Sequence, residues 1–277
     1  MLLPTSRTLS ESGVTIRWHT TPWDRRSLGV TTVELLAVDY ADPVGLPQAL
    51  AEFDRVAIAD AVGLATIRVA AADRALIAAL VGAGFAHVET SHPLALDLAA
   101  HDPARVFRRA VDVEVAGPGD RDELVALARD GFDYSRFHED ARIHPGRARA
   151  RFAWWIADSL KDDRDEVWIH RHAGAIAALM SFRRQGDRVQ LLLGGTRPDA
   201  GPIAPLFWAG VLTRLRAEGA TMVATRISAA NPAALRLHTA FGFVETATDA
   251  GLTKIYPDGA LVGSPPDPGP PPVDVRT

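Results

Sequence analysis

The feature that most constrains this 277-residue chain is a repeat inside it. The segment Ile67-Arg68-Val69-Ala70-Ala71-Ala72-Asp73, followed by Leu80 and Gly84-Phe85, reads like Arg226-Ile227-Ser228-Ala229-Ala230-Asn231, followed by Leu237 and Gly242-Phe243. Arg68 aligns with Arg226, Asp73 with Asn231, Gly84 with Gly242 and Phe85 with Phe243, all at one offset of 158 residues. A period that long marks a duplicated domain, not a solenoid. Each copy has the same local grammar. A β-rich run (65–69 and 222–228) meets Asp73 or Asn231, whose side chains accept hydrogen bonds from free helix N–H groups. The helix stops at Gly84 or Gly242, where a left-handed backbone suits glycine. An alternating run then leads out, from Phe85 to Leu98 or from Phe243 to Tyr256. The unit is strand–helix–strand.

The second half carries more elements. Val111 to Val115 alternates as a strand, and Asp120 with Glu123 has capping-box spacing for a helix to Arg129. Residues 133–146 read as a polar, aromatic loop. Phe152, Trp155, Ile156 and Leu160 lie at helical spacing in 147–160. Residues 166–171, 176–183 and 188–195 read as three strands broken by His172-Ala173-Gly174 and Gln185-Gly186-Asp187. Ile203, Leu206, Phe207, Gly210, Val211 and Arg214 mark one face of a helix to Glu218. Seven prolines fall in the last 21 residues, so 257–277 is expected to stay outside the fold as a disordered tail. Residues 1–13 are expected to be flexible as well.

Composition narrows the chemistry. With no cysteine there is no disulfide, thiolate metal site or cysteine nucleophile, which fits a reducing, cytoplasmic setting. The net charge is −4 and like charges are not clustered, so no nucleic-acid partner is expected despite the arginine bias. No apolar run approaches the roughly 18–20 residues that span a bilayer, and the first residues do not read as a signal peptide, so no membrane partner is expected. Gly117-Pro118-Gly119 lacks the third glycine of a dinucleotide loop and has Asp122 there. His138 and His144 lack a third ligand at helical spacing, so no metal is expected.

The element order, together with Asn231-x-x-Ala234-x-x-Leu237-His238-x-x-x-Gly242-Phe243, resembles the GCN5-related N-acetyltransferases. Their pattern has Tyr where this chain has His238. The resemblance covers about 110–256, and the first half looks like a truncated copy. It implies a tandem α/β fold, a mixed sheet flanked by helices, with a partial copy over 14–105 and a catalytic domain over 106–256. It implies acyl transfer from acetyl-CoA, as co-substrate, to a primary amine of a small molecule. The alternative is a degenerate, non-catalytic binding module of the same fold. The acceptor, acyl chain length and oligomeric state are left open.

The resemblance also implies site residues. Gly194-Gly195, with Leu193 and Thr196, would let the pantetheine arm pair with the fourth strand; the competing reading is a β-bulge or turn. The following loop would bind the pyrophosphate through Arg197, Gly201, Ile203 and Ala204, using backbone N–H groups and the helix start. Pro202 and Pro205 lack an N–H there, so two donors are missing. Asn231 would touch coenzyme A or serve only as a helix cap. His238 would protonate the departing thiolate, or be a packed helix histidine bonded to a backbone carbonyl. The fourth strand carries no carboxylate, leaving water, His138 and Glu139 as unranked bases. A narrower likeness joins Trp23-Asp24 and Leu28-Gly29 with Ser135-Arg136-Phe137-His138-x-Asp140, Trp155-Ile156 and Ser159. It points to nucleotide-amino-sugar N-acetyltransferases, with Tyr134, Arg136, His138 and Trp155 on the acceptor.

Overall fold

The computed structural model describes residues 5–200, 202–257 and 261. The chain runs β1 (Arg7–Glu11), β2 (Val14–Thr20), α1 (Pro22–Leu28), β3 (Thr31–Tyr40), α2 (Leu46–Ala59), β4 (Val62–Ala70), α3 (Arg74–Gly82) and β5 (Ala86–Asp97). It continues through α4 (Pro103–Val106), β6 (Glu114–Val115), α5 (Arg121–Asp130), α6 (Pro145–Ser159), β7 (Asp165–His172), β8 (Ala175–Gln185) and β9 (Arg188–Thr196). It ends with α7 (Ala204–Ala217), β10 (Met222–Ser228), α8 (Pro232–Ala240), β11 (Val244–Glu245) and β12 (Asp249–Ile255).

These elements form two compact units that interleave along the chain. Unit 1 holds 1–91, 134–151 and 248–277; unit 2 holds 92–133 and 152–247. Residues 134–151 and 248–256, expected within a domain over 106–256, fall in unit 1. In unit 1 the strand order is β1-β2-β3-β4-β12-β5, and in unit 2 it is β5-β10-β9-β8-β7-β6, with β11 also on β5. β5 is divided between them at Ser91/His92.

The repeat is deeper than the motif that revealed it. Asp73 and Asn231 each cap their helix, accepting from the Leu76 and Ala234 amides at 3.0 Å. Gly84 and Gly242 end these helices at φ +88° and +87°, the left-handed region. Phe85 N–H bonds Leu80 O and Phe243 N–H bonds His238 O, at 3.0 and 3.1 Å. α2 and α7 are both 14 residues long and also stand 158 apart. The first half thus carries β1, β2, α1, β3 and α2 in addition to the strand–helix–strand unit.

The last strands are exchanged. β12 follows the second copy's helix yet lies in unit 1, antiparallel to both β4 and the first part of β5. The expected single run from Phe243 to Tyr256 is therefore two strands, β11 and β12. β12 is anchored by side chains as well as by its ladder. Thr253 donates to Asp140 at 2.6 Å, and Lys254 Nζ donates to Asp54 and, at 2.6 Å, to Ala83 O at the end of α3. In unit 1, α2 and α3 pack Leu50, Phe53, Leu76 and Leu80 on Trp18, Val33, Ile67 and Leu252. In unit 2, Phe207, Val211 and Phe241 pack with Trp168, Phe182 and Val223, while α5 and α6 bring Leu124 and Ile156 against Ile169 and Leu179.

Three local expectations are corrected. β1 pairs with β2 from Arg7 to Glu11, so much of the 1–13 segment is strand. Pro257 and Leu261 of the expected tail are described, and Leu261, 1% exposed, packs with Leu28, Leu64, Phe137, Ile143 and Ala148. An apolar side chain with a pocket outweighs the surrounding prolines. Residues 258–260 and 262–277 lie outside the described residues. Asp120 and Glu123 make no capping box for α5: Asp120 accepts from Gly117 N–H at 2.7 Å and Glu123 from Ile176 N–H at 2.6 Å. Among the described residues no helix is long and apolar enough to cross a membrane.

Lys254→Met keeps the stem but removes two charge-assisted bonds that join β12 to α2 and α3. Urea unfolding should show a loss of about 1.5–3 kcal/mol; an unchanged midpoint would mean that the ladder alone holds β12.

Candidate functional site

Unit 2 has one break in its ladder that shapes a site. The parallel strands β9 and β10 pair at only three positions, 188–190 with 222–224. Beyond Gln190 and Ala224 they diverge. β9 stays paired with β8 up to Thr196, and its other edge runs on without β10. That edge offers backbone N–H and C=O groups along 191–196, which a chain-like ligand can pair with as a strand would.

The glycines in this stretch are demanded by their neighbours. A Cβ on Gly194 would stand 2.7 Å from Met180 Cε and 3.1 Å from Trp208 Cζ2; one on Gly195 would stand 2.7 Å from the Phe132 ring. Leu193, on the same face as Gly195, packs into the core, 6% exposed. Thr196 is half-buried at the strand end, opposite Ala178.

The loop after β9 is partly committed to itself. Arg197 makes a two-pronged bond to Asp199, whose carboxyl this guanidinium holds below the usual carboxylate range. The Arg197 and Ala200 amides donate to Ala177 O and Arg197 O at 2.9 and 3.1 Å. Gly201 lies outside the described residues. Ile203, 8% exposed, precedes α7 and makes no side-chain cap, so the first amides of α7, including that of Ala204, are left to other partners.

Across the opening, α8 follows β10. Asn231 spends its side-chain oxygen on the α8 cap, and its NH₂ has no partner among the described residues. His238 is 2% exposed and stands where the first copy has the core residue Leu80. Its Nδ1 bonds Ala234 O at 2.8 Å, and its Nε2 lies 3.3 Å from Trp208 Nε1. An indole nitrogen only donates, so Nε2 accepts and Nδ1 carries the proton. The imidazole is neutral and both nitrogens are occupied. Burial pushes its pKa down, against a smaller upward pull from the Ala234 carbonyl. Trp208 thus joins His238 to the floor beneath Gly194, a link that no sequence spacing disclosed.

The expected acceptor residues do not form one set. Tyr134, Arg136 and His138 belong to unit 1, and Trp155 to unit 2, where it stacks on Phe152 at 6.3 Å. Tyr134 is 49% exposed. His138 Nδ1 lies 2.9 Å from Ser135 Oγ. Arg136 is buried and bonds Glu34 at 2.9 Å. Burial alone would raise the Glu34 pKa; the Arg136 charge and bond, with the His19 ring 3.8 Å away, more than reverse this. The two short motifs meet inside unit 1. Asp24 bonds Arg151 at 2.6 Å, Leu28 packs with Phe137, and Arg136 and Arg151 flank the Phe137 ring at 5.2 and 4.7 Å. Their residues seat the 134–151 segment on the unit 1 sheet. Among the described residues no group of His, Cys, Asp and Glu is arranged to hold a metal.

No protein-family profile matches the chain, and no curated protein matches its sequence. Solved structures do match its fold. A GCN5-related N-acetyltransferase from Sphaerobacter thermophilus aligns with TM-score 0.61 at 15% identity, over 87% of this chain and 76% of that one. One from Kribbella flavida aligns with TM-score 0.56 at 17% identity, over 90% of each chain. A tandem GNAT protein from the clavulanic acid biosynthesis pathway aligns with TM-score 0.55 at 15% identity, over 87% and 78%. The fold is that of the GCN5-related N-acetyltransferases, in its tandem form.

The buried neutral imidazole makes a pH prediction. In the unfolded chain a histidine titrates near 6.5, and in the fold its pKa is lower. Below about pH 6.5 unfolding therefore takes up a proton, and stability falls as pH falls, by at most about 1.4 kcal/mol per pH unit. His238→Phe should lose that share of the slope between pH 7.5 and 5.5. At pH 7.5 it should cost about 1–3 kcal/mol, because the buried Trp208 N–H loses its acceptor. Paired chemical melts check both; an unchanged slope would contradict the buried, neutral state.

Proposed function

We propose that unit 2 binds an acyl-CoA along the free edge of β9 and transfers its acyl group, acetyl in the first instance, to the primary amine of a small molecule, amino sugars included. The observation that carries this reading is the parting of β9 and β10 after three pairs, with Gly194-Gly195 on the exposed edge. The fold resemblance points the same way. A pantetheine arm has amide donors and acceptors spaced like a peptide, so the strand edge fits it. The diphosphate end fits less well. Pro202 and Pro205 lack N–H groups, and Asp199 already holds the one arginine of the loop.

The thioester supplies an activated acyl carbon; the rest is the chain's work. The β9 edge fixes the donor's direction, and its N–H groups stand where negative charge develops on the carbonyl oxygen. Nitrogen–carbon bond formation is matched by carbon–sulfur cleavage, one proton leaving the amine and one reaching the thiolate. We assign His238 to positioning. Its Nε2 accepts from Trp208 and is not poised to donate, and it holds the indole under Gly194. The fold alone is equally compatible with a binding module that has lost catalysis, a reading favoured by the self-paired Arg197.

Because the chain has no cysteine, a thiol reagent reports only released coenzyme A. Acetyl-CoA with a panel of primary amines should give thiol above the amine-free blank. Binding heat without turnover would favour the binding module, and no heat at millimolar acetyl-CoA would contradict the site. Asp199→Asn should free Arg197 for phosphate and tighten acetyl-CoA several-fold, about 1 kcal/mol, with the gain shrinking at high salt. Weaker binding in that variant would mean that Asp199 orders the loop.

A further inference from the structure

Unit 1 repeats the donor groove of unit 2 in outline. β3, α2, β4 and α3 stand at the 158-residue offset from β9, α7, β10 and α8. β3 and β4 are parallel, and they too part company: pairing ends at Leu35 and Ile67, so 36–40 runs on without β4. Three features differ from unit 2, and all act against a ligand.

The strands stay paired for five positions before they separate, rather than three. At the end of β3, the Tyr40 hydroxyl donates to Asp73 Oδ1 at 2.5 Å, the same oxygen that caps α3 through Leu76 N–H. This bond runs from the tip of one diverging strand to the helix that follows the other, so it spans the mouth of the opening. In unit 2 the position 158 residues after Tyr40 is Pro198, and Asn231 receives no such bond among the described residues. Asp39 stands near the end of β3, and the loop after it carries Asp42. The Asp42 carboxylate accepts from Val44 N–H at 2.9 Å, so a fixed negative charge occupies an amide at the approach to α2. A phosphate there would meet repulsion.

We propose that unit 1 contains a second groove of the acyl-CoA type that is closed by its own Tyr40, the ring and hydroxyl standing in for a ligand, so that the chain binds acyl-CoA once, in unit 2. The inference rests on the reading of unit 2 as the donor site. It gives Tyr40 and Asp73 a joint task, a latch that holds the tip of β3 to α3 where β4 no longer does. The latch carries a spectroscopic mark, because the bond to Asp73 raises the Tyr40 phenol pKa above its usual value. Of the three tyrosines, Tyr256 is raised as well, by burial and by its bond to Asp54.

Two measurements on the full chain test this. Calorimetry with acetyl-CoA should give one site per chain in both wild type and Tyr40→Phe. Alkaline ultraviolet titration should lose a late-ionising phenol in Tyr40→Phe, and its melting temperature should fall. Two sites in the wild type would overturn the closure. So would a Tyr40→Phe protein that melts like the wild type and has lost a phenol of ordinary pKa. A wild type with no site at all would overturn the donor reading of unit 2 instead, and the phenol titration would still judge the latch.

Discussion

The candidate site depends on a pairing that stops. Parallel strands hold each other through evenly spaced bonds, and β9 and β10 make them only at 188–190 with 222–224. The edge freed beyond that point must bond something, because backbone donors and acceptors removed from water without partners are costly. Neighbouring features support the opening. Gly194 lets Met180 and Trp208 close in on one face of β9, Gly195 lets Phe132 close in on the other, and His238 holds the Trp208 indole through its Nε2. The strand is backed by Trp208 on the face of Gly194 and by Phe132 on the face of Gly195.

The two copies show how little is needed to change the outcome. At the same offset, Leu80 in one copy is His238 in the other, and Tyr40 in one is Pro198 in the other. In unit 1 a tyrosine bond spans the parted strands. In unit 2 the helix cap is an amide rather than a carboxylate, and proline leaves nothing to reach it. Exchange of the last strands makes the copies mutually dependent, since β12 completes unit 1 from the far end of the sequence. Lys254, Thr253 and Tyr256 then tie that strand to Asp54, Ala83 and Asp140.

What could be read from the sequence was local. Caps at Asp73 and Asn231, glycine stops at Gly84 and Gly242, and the three-strand meander over 165–196 announce themselves within a few residues. The strand exchange does not, because an alternating run looks the same whichever neighbour it joins. Arg136 reads as a ligand for an anionic acceptor until Glu34, 102 residues away, is found holding it. Leu261 sits among prolines and glycine, and only the pocket formed by Leu28, Leu64 and Phe137 reveals why it is buried. Within the candidate site, the sequence itself offers Gly194-Gly195 at a strand end and Asn231 in the helix motif. The Trp208–His238 bond and the Arg197–Asp199 pair were not, because each depends on side-chain direction.

The central claim is that the free edge of β9 receives the donor. Amide hydrogen exchange with and without saturating acetyl-CoA tests it most directly. Peptides covering 191–196 should slow on binding, while those covering 36–40 in unit 1 should not change. Saturated binding with no added protection in 191–196, or with protection centred on 36–40, would contradict the account.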